Sequence, residues 1–184
     1  MSGEMQEDID KIIITAEEIG KKVEDISQKL STDYKGKDLT VVAILNGSLV
    51  FLSDLIRQLP LSMRLDTIGA DTYGAQTFPR TDPRLLNSLK VDVQGRDVLI
   101  IDDIIDTGKT LQKVLEDINK YKPRSIKTCV LLNRSDRRQV ELEPDYFGFK
   151  IGNEFVVGYG LDFNNQYRNL PFIAALKAEC YGKR

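Results

Sequence analysis

Apolar residues fall along this chain in two rhythms. Three runs, Leu39 to Leu45, Val98 to Ile101 and Ser125 to Leu132, lack the alternation of a half-exposed strand and suit strands covered on both faces, as in a parallel sheet. Between them apolar residues recur at helical spacing. Ile19, Val23, Ile26 and Leu30 follow a capping box of Thr15 and Glu18; Leu49 to Leu59 forms a second helical stretch; Leu111, Val114, Leu115 and Ile118 form a third. Asp10 to Ile14 and Leu61 to Thr72 are further strand candidates. Asp145 to Lys150 and Phe155 to Val157 read as short strands, and Phe172 to Leu176 is a last apolar piece. Strand and helix alternate, and a single helix joins the strand at Val98 to that at Ser125, so right-handed crossover makes those two parallel neighbours. The pattern predicts an α/β fold with a doubly wound, mainly parallel sheet flanked by helices. Residues 73–94 carry neither rhythm; a stretch that long in a compact domain is a lid or a disordered segment.

Composition narrows the function. The chain has 184 residues, 41% of them apolar, the size of one domain with a full core. Net charge is −2, with no sign of a nucleic-acid or membrane surface, so the expected partner is a small molecule. Two cysteines, Cys129 and Cys180, form no framework, the N-terminus Met1-Ser2-Gly3-Glu4 opens no signal peptide, and no apolar run is long enough to span a bilayer. A cytoplasmic protein is expected. Histidine is absent, which removes Ser-His-Asp and Cys-His catalysis and leaves acid–base work to carboxylates.

The chemistry concentrates at the end of the Val98 run. Asp102 and Asp103 sit at the carboxyl end of that strand, and Asp106, Thr107, Gly108, Lys109 and Thr110 lead into the third helix. Loop amides and two threonine hydroxyls converging on a helix start make a seat for a phosphate. Paired acids beside such a seat suit sugar hydroxyls or a hydrated divalent cation. A Walker A loop is excluded because the leading glycine position holds Asp103. A receiver domain is excluded because the next strand runs into Asn133 and Arg134 rather than an aspartate. An acidic turn capping a helix would need fewer of these residues. Asn46-Gly47, read by itself, is a turn between the second strand and its helix.

The segment Asp102 to Thr110 closely resembles the ribose-phosphate signature of the type I phosphoribosyltransferases, two acids followed by D-T-G-x-T. Leu45-Asn46-Gly47-Ser48, Thr72-Tyr73-Gly74 and Glu154-Phe155-Val156-Val157-Gly158-Tyr159-Gly160-Leu161-Asp162 narrow the resemblance to the hypoxanthine (hypoxanthine-guanine) phosphoribosyltransferases, from about Ile12 to Leu176. The resemblance implies one domain with that fold, plus a small hood made by the N-terminal strand and about residues 145–184. It makes 73–94 a lid beginning at Thr72 and Tyr73. The implied reaction moves 5-phosphoribose from its 1-diphosphate to N9 of a 6-oxopurine, hypoxanthine or guanine, in purine salvage. Carried over residue by residue, Asp102 and Asp103 hold ribose hydroxyls and Mg²⁺, while Asp106 is the general base at N7. Asp106, Thr107, Gly108, Lys109 and Thr110 cradle the 5′-phosphate. Asn46, Gly47 and Arg168 bind pyrophosphate, with a cis peptide expected between Leu45 and Asn46. Asp162 reaches a second Mg²⁺, Phe155 stacks on the purine, and Val156 meets the base edge through its main chain. Arg134 reads the 6-oxo group where the family usually has lysine. Other departures are Thr72-Tyr73 in place of Ser-Tyr and Phe78-Pro79-Arg80 in place of a serine-rich stretch. A homodimer or homotetramer is implied. Non-catalytic regulators that sense the diphosphate share the fold, but Phe155 and Asp162 favour an enzyme.

Overall fold

The computed structural model describes residues 7–71 and 83–181. Its centre is a six-stranded sheet built from β2 (Leu39–Leu45), β3 (Met63–Asp71), β4 (Arg84–Leu85), β5 (Asp97–Ile105), β6 (Ser125–Asn133) and β7 (Tyr146–Lys150), in the order β4-β3-β2-β5-β6-β7. Every neighbouring pair is parallel except β3 with β4.

The unbroken apolar runs are explained by the two sides of this sheet. In β5, Leu99 and Ile101 point into one core and Val98 and Ile100 into the other; in β2, Val41 and Ala43 divide from Val42 and Ile44 in the same way. The first core lies under helices α1 (Ala16–Asp33) and α2 (Leu49–Gln58), the second under α3 (Lys109–Asn119). Alternation is hidden because both faces are covered, and each of these valine, leucine and isoleucine side chains contributes about 1.5–3 kcal/mol on burial. The capping box of α1 is present: Thr15 N–H donates to the Glu18 carboxylate at 2.8 Å, and Glu18 N–H donates to Thr15 Oγ1 at 3.3 Å.

Three boundaries differ from the sequence reading. β5 does not stop at Ile101 but runs on through the acids to Ile105, paired with Asn133 of β6. The strand at 146–150 is not hood: it is the sixth strand of the main sheet, parallel to β6. The hood is smaller, a three-stranded antiparallel sheet of β1 (Ile9–Ile14), β9 (Ile173–Leu176) and β8 (Val156–Val157), in the order β1-β9-β8, followed by a last helical turn, α4 (Ala178–Tyr181). The third difference concerns the patternless stretch. Its described part, 83–94, is stitched to the edge of β3: β4 pairs with Ala70 and Asp71, the Asn87 amide bonds Gly69 N–H and Thr67 C=O, and Asp66 accepts from the N–H groups of Lys90 and Val91. The lid residues Thr72 and Tyr73 lie outside the described residues.

Candidate active site

β5 carries the acids into the site as members of the ladder, Asp102 opposite Val130 of β6. Asp102 is buried, 7% exposed, and Asp103 half-buried beside it. Burial, with repulsion from Asp103 second, holds the Asp102 carboxyl well above the usual carboxylate range. Burial raises Asp103 too, partly offset by hydrogen bonds from Asp102 and the Ile104 N–H and by the charge of Arg168. Two acids are thus packed where one negative charge is already costly.

The turn after β2 lies directly on this pair. Its Leu45–Asn46 peptide is cis, as the family resemblance implies. A Cβ on Gly47 would stand 1.9 Å from Asp103 Oδ2, and one on Gly160 would stand 2.1 Å from the Gly47 carbonyl oxygen. Gly160, at φ +102°, Gly47 and Asp103 therefore form a stack that admits no side chain at either glycine. Arg168 closes the same corner. Its guanidinium donates to the Gly160 C=O at 2.7 Å and pairs with Asp162 Oδ1 at 2.7 Å, while Asp162 Oδ2 accepts from the Asn165 N–H. Gly47 and Arg168 are so brought to Asp103, and Asp162 to Arg168.

At the end of β5 the chain turns through Asp106, Thr107 and Gly108 into α3. Gly108 caps the helix in the left-handed conformation, φ 84°, with no side-chain cap and no acid in the first turn. The positive end of α3 is left uncompensated. The loop's peptide groups are held from behind. Arg138 Nε donates to the Asp106 C=O at 3.0 Å, and Gln139 N–H donates to the Thr107 C=O at 2.9 Å. Among the described residues the N–H groups of Thr107 and Gly108 have no partner, and Lys109 N–H has only a long bond to Thr107 Oγ1 at 3.4 Å. Lys109 and Thr110 open the helix itself.

Asp106 faces the turn after β6. Its Oδ2 pairs with Arg134 at 3.1 Å and with Arg137 at 3.8 Å; its Oδ1 is buried and, among the described residues, without a partner. Arg134 is 5% exposed, and besides Asp106 it donates to the Gly152 C=O at 2.9 Å and the Glu154 C=O at 2.7 Å. The sequence reading placed this guanidinium on a base carbonyl. Three of its five N–H groups are instead spent on the protein, which leaves at most two for a ligand. Phe155 is half-buried, edge-on to Phe163 with ring centroids 5.6 Å apart, and Val156 is buried opposite Ala175 in the hood sheet.

Sequence reasoning missed Arg138, whose side chain is 9% exposed and which reaches both the phosphate loop and the Asn133–Arg134 turn. Its only signal was position, a basic pair in the loop after β6. Gly160 was visible within a motif but not as a contact.

These features can be set beside known proteins. The model of the phosphoribosyl transferase domain matches residues 11–164. A hypoxanthine-guanine phosphoribosyltransferase of Lactococcus lactis is 40% identical over 95% of this chain and 95% of its own length. A bifunctional TilS/HprT protein of Listeria monocytogenes is also 40% identical, over 97% of this chain, which spans only 28% of that longer protein. Among solved structures, a hypoxanthine phosphoribosyltransferase of Staphylococcus aureus superposes with a TM-score of 0.92 at 38% identity, covering 98% of each chain.

Proposed function

The chain belongs to the phosphoribosyltransferase family, and from that membership we propose that it is a purine-salvage enzyme. It transfers 5-phosphoribose from 5-phosphoribosyl 1-diphosphate to N9 of hypoxanthine and guanine and releases pyrophosphate. The observation that carries this reading is the phosphate loop, two unpartnered N–H groups at an uncompensated helix start, one residue beyond a free, buried carboxylate oxygen of Asp106.

The transition state resembles an oxocarbenium ion, so positioning and electrostatics do most of the work. The amides of 107–110 hold the 5′-phosphate. Asp102 and Asp103 take the ribose hydroxyls and set the sugar beneath the base, while Gly47, Asn46 and Arg168 receive the departing pyrophosphate. Asp106, with Oδ1 uncommitted, accepts the proton from purine N7. Phe155 stacks on the ring, and Val156 and the spare N–H groups of Arg134 read its edge.

The donor set fits a divalent cation. Asp102 and Asp103 offer hard oxygen ligands, and a cation relieves the repulsion that burial imposes on them. Asp102 and Asp103 would hold one such ion and Asp162 a second. Bound Mg²⁺ would neutralise charge on the leaving diphosphate. A cytoplasmic setting and assembly as a homodimer or homotetramer belong to the same proposal; no described helix is long and apolar enough to cross a membrane.

The test is a coupled assay for pyrophosphate release with hypoxanthine, guanine, xanthine and adenine offered in turn. Turnover with the 6-oxopurines and none with adenine is expected, since an adenine amino group would face the Arg134 donors. A regulator that only senses the diphosphate would bind it and release nothing.

A further inference from the structure

A peptide group points its C=O and N–H in opposite directions, so fixing one fixes the other. In the loop between β5 and α3 the carbonyls are the fixed partners. The Asp106 C=O is held by Arg138 Nε and the Thr107 C=O by the Gln139 N–H, which turns the N–H groups of Thr107 and Gly108 toward the opposite side, where none of the described residues meets them. Arg138 is itself held on every side. Its Nη1 donates to the Leu142 C=O and lies 3.4 Å from the Glu143 carboxylate, and its Nη2 donates to Asn133 Oδ1 at 2.7 Å and the Arg134 C=O at 3.2 Å. Its stem lies against Gly108, where a Cβ would stand 2.9 Å from Arg138 Cδ. A surface arginine forming a chance ion pair would keep most of its fork in water; this one spends every nitrogen of a nearly buried guanidinium on the two loops that flank the site.

We propose that Arg138 is a positioning residue for the 5′-phosphate: by holding the Asp106 carbonyl from behind, it presents the Thr107 amide to the anion without touching it. The same fork holds the Arg134 carbonyl, so it also fixes the spacing between the phosphate loop and the base-side turn. This rests on the reading of residues 106–110 as the phosphate seat. A planar fork is required, because lysine's single ammonium cannot serve four carbonyl and amide oxygens in different directions.

The experiment measures binding of two anions to the full-length protein with Mg²⁺ by calorimetry. Ribose 5-phosphate probes the seat behind which Arg138 lies; pyrophosphate probes the seat of Gly47 and Arg168, which Arg138 does not contact. Arg138→Met is expected to weaken ribose 5-phosphate about tenfold, the reach of one charge-assisted bond, while changing pyrophosphate less than about twofold. Arg138→Lys should recover part of the loss. Equal weakening of both anions would mean general damage and overturn the proposal, as would unchanged ribose 5-phosphate binding. Should the methionine variant fail to fold, the lysine variant decides alone: a selective loss supports the proposal and parity with the parent overturns it. A parent protein that binds neither anion would instead overturn the phosphoribosyl reading.

Discussion

Asp106 and Arg134 are where single side chains decide most. Replacing Asp106 with Asn keeps the shape and the Arg134 contact but removes the proton acceptor proposed for purine N7, so turnover should fall by about two to four orders of magnitude with diphosphate binding retained. Steady-state kinetics with hypoxanthine checks this, and an unchanged kcat would remove Asp106 from the chemistry. Arg134 is a different case. The sequence showed that an arginine stands where lysine is usual; it could not show that two backbone carbonyls beyond β7 would claim the fork, because Gly152 and Glu154 carry no pattern that predicts their carbonyl directions. Arg134→Ala leaves those carbonyls and Asp106 Oδ2 without their charged donor, at up to about 1.5–3 kcal/mol for each bond that water does not replace. Arg134→Lys can restore only one or two of the three bonds. The specificity constants for hypoxanthine and guanine should therefore fall in the order parent, lysine, alanine, and a fully active alanine variant would show that Arg134 neither reads the base nor orients Asp106.

Strands and helices were legible where burial wrote them and obscure where chemistry interrupts. The Val98–Ile101 run announced a central strand, but its continuation through Asp102 and Asp103 did not, since carboxylates inside a ladder look in sequence like the loop after it. The α1 capping box was readable because both of its bonds are local. The stack of Gly160 on Gly47 was not, because it joins segments more than a hundred residues apart. Gly160→Ala tests that stack. The added methyl would overlap the Gly47 carbonyl oxygen, and φ +102° is strained for any L side chain. The turn after β2 must move, so KM for the diphosphate should rise by about tenfold or more, consistent with about 1.4 kcal/mol or more of lost contact. Circular dichroism should show the fold intact, and an alanine variant with the parent's KM would mean the stack is dispensable.

On the scale of the whole molecule, the doubly wound sheet was expected and found, but β7 was assigned to the wrong layer. A parallel strand usually follows a helical crossover; here residues 134–145 cross without a helix, so nothing in the sequence announced that 146–150 returns to β6. The same sheet makes Cys129 a reporter of global stability. It is fully buried in β6 between its neighbouring strands, and burial, with the nearby charge of Asp145, pushes its thiol far above the ordinary range. Since a thiol raised in the folded state ionises only when the chain opens, alkylation of Cys129 should track global unfolding in urea, while the partly exposed Cys180 near the C-terminus reacts earlier. Mass spectrometry of the two modified peptides checks this; early labelling of Cys129 would place a local opening in the sheet.

The hood sets its own order of events. β1 pairs with β9, Ile9 opposite Leu176 and Ile14 opposite Ile173, so β1 takes as its partner a strand synthesised much later. At ordinary rates of synthesis that is a wait on the order of ten seconds, during which β2, β3, β5 and β6 can already form the parallel core. The turn at residues 106–110 can thus form before Phe155 and Val156 are braced by β9. A chain truncated shortly before Ile173 would keep residues 106–110 within the parallel sheet's frame but leave Val156 and Val157 without the strand they pair with.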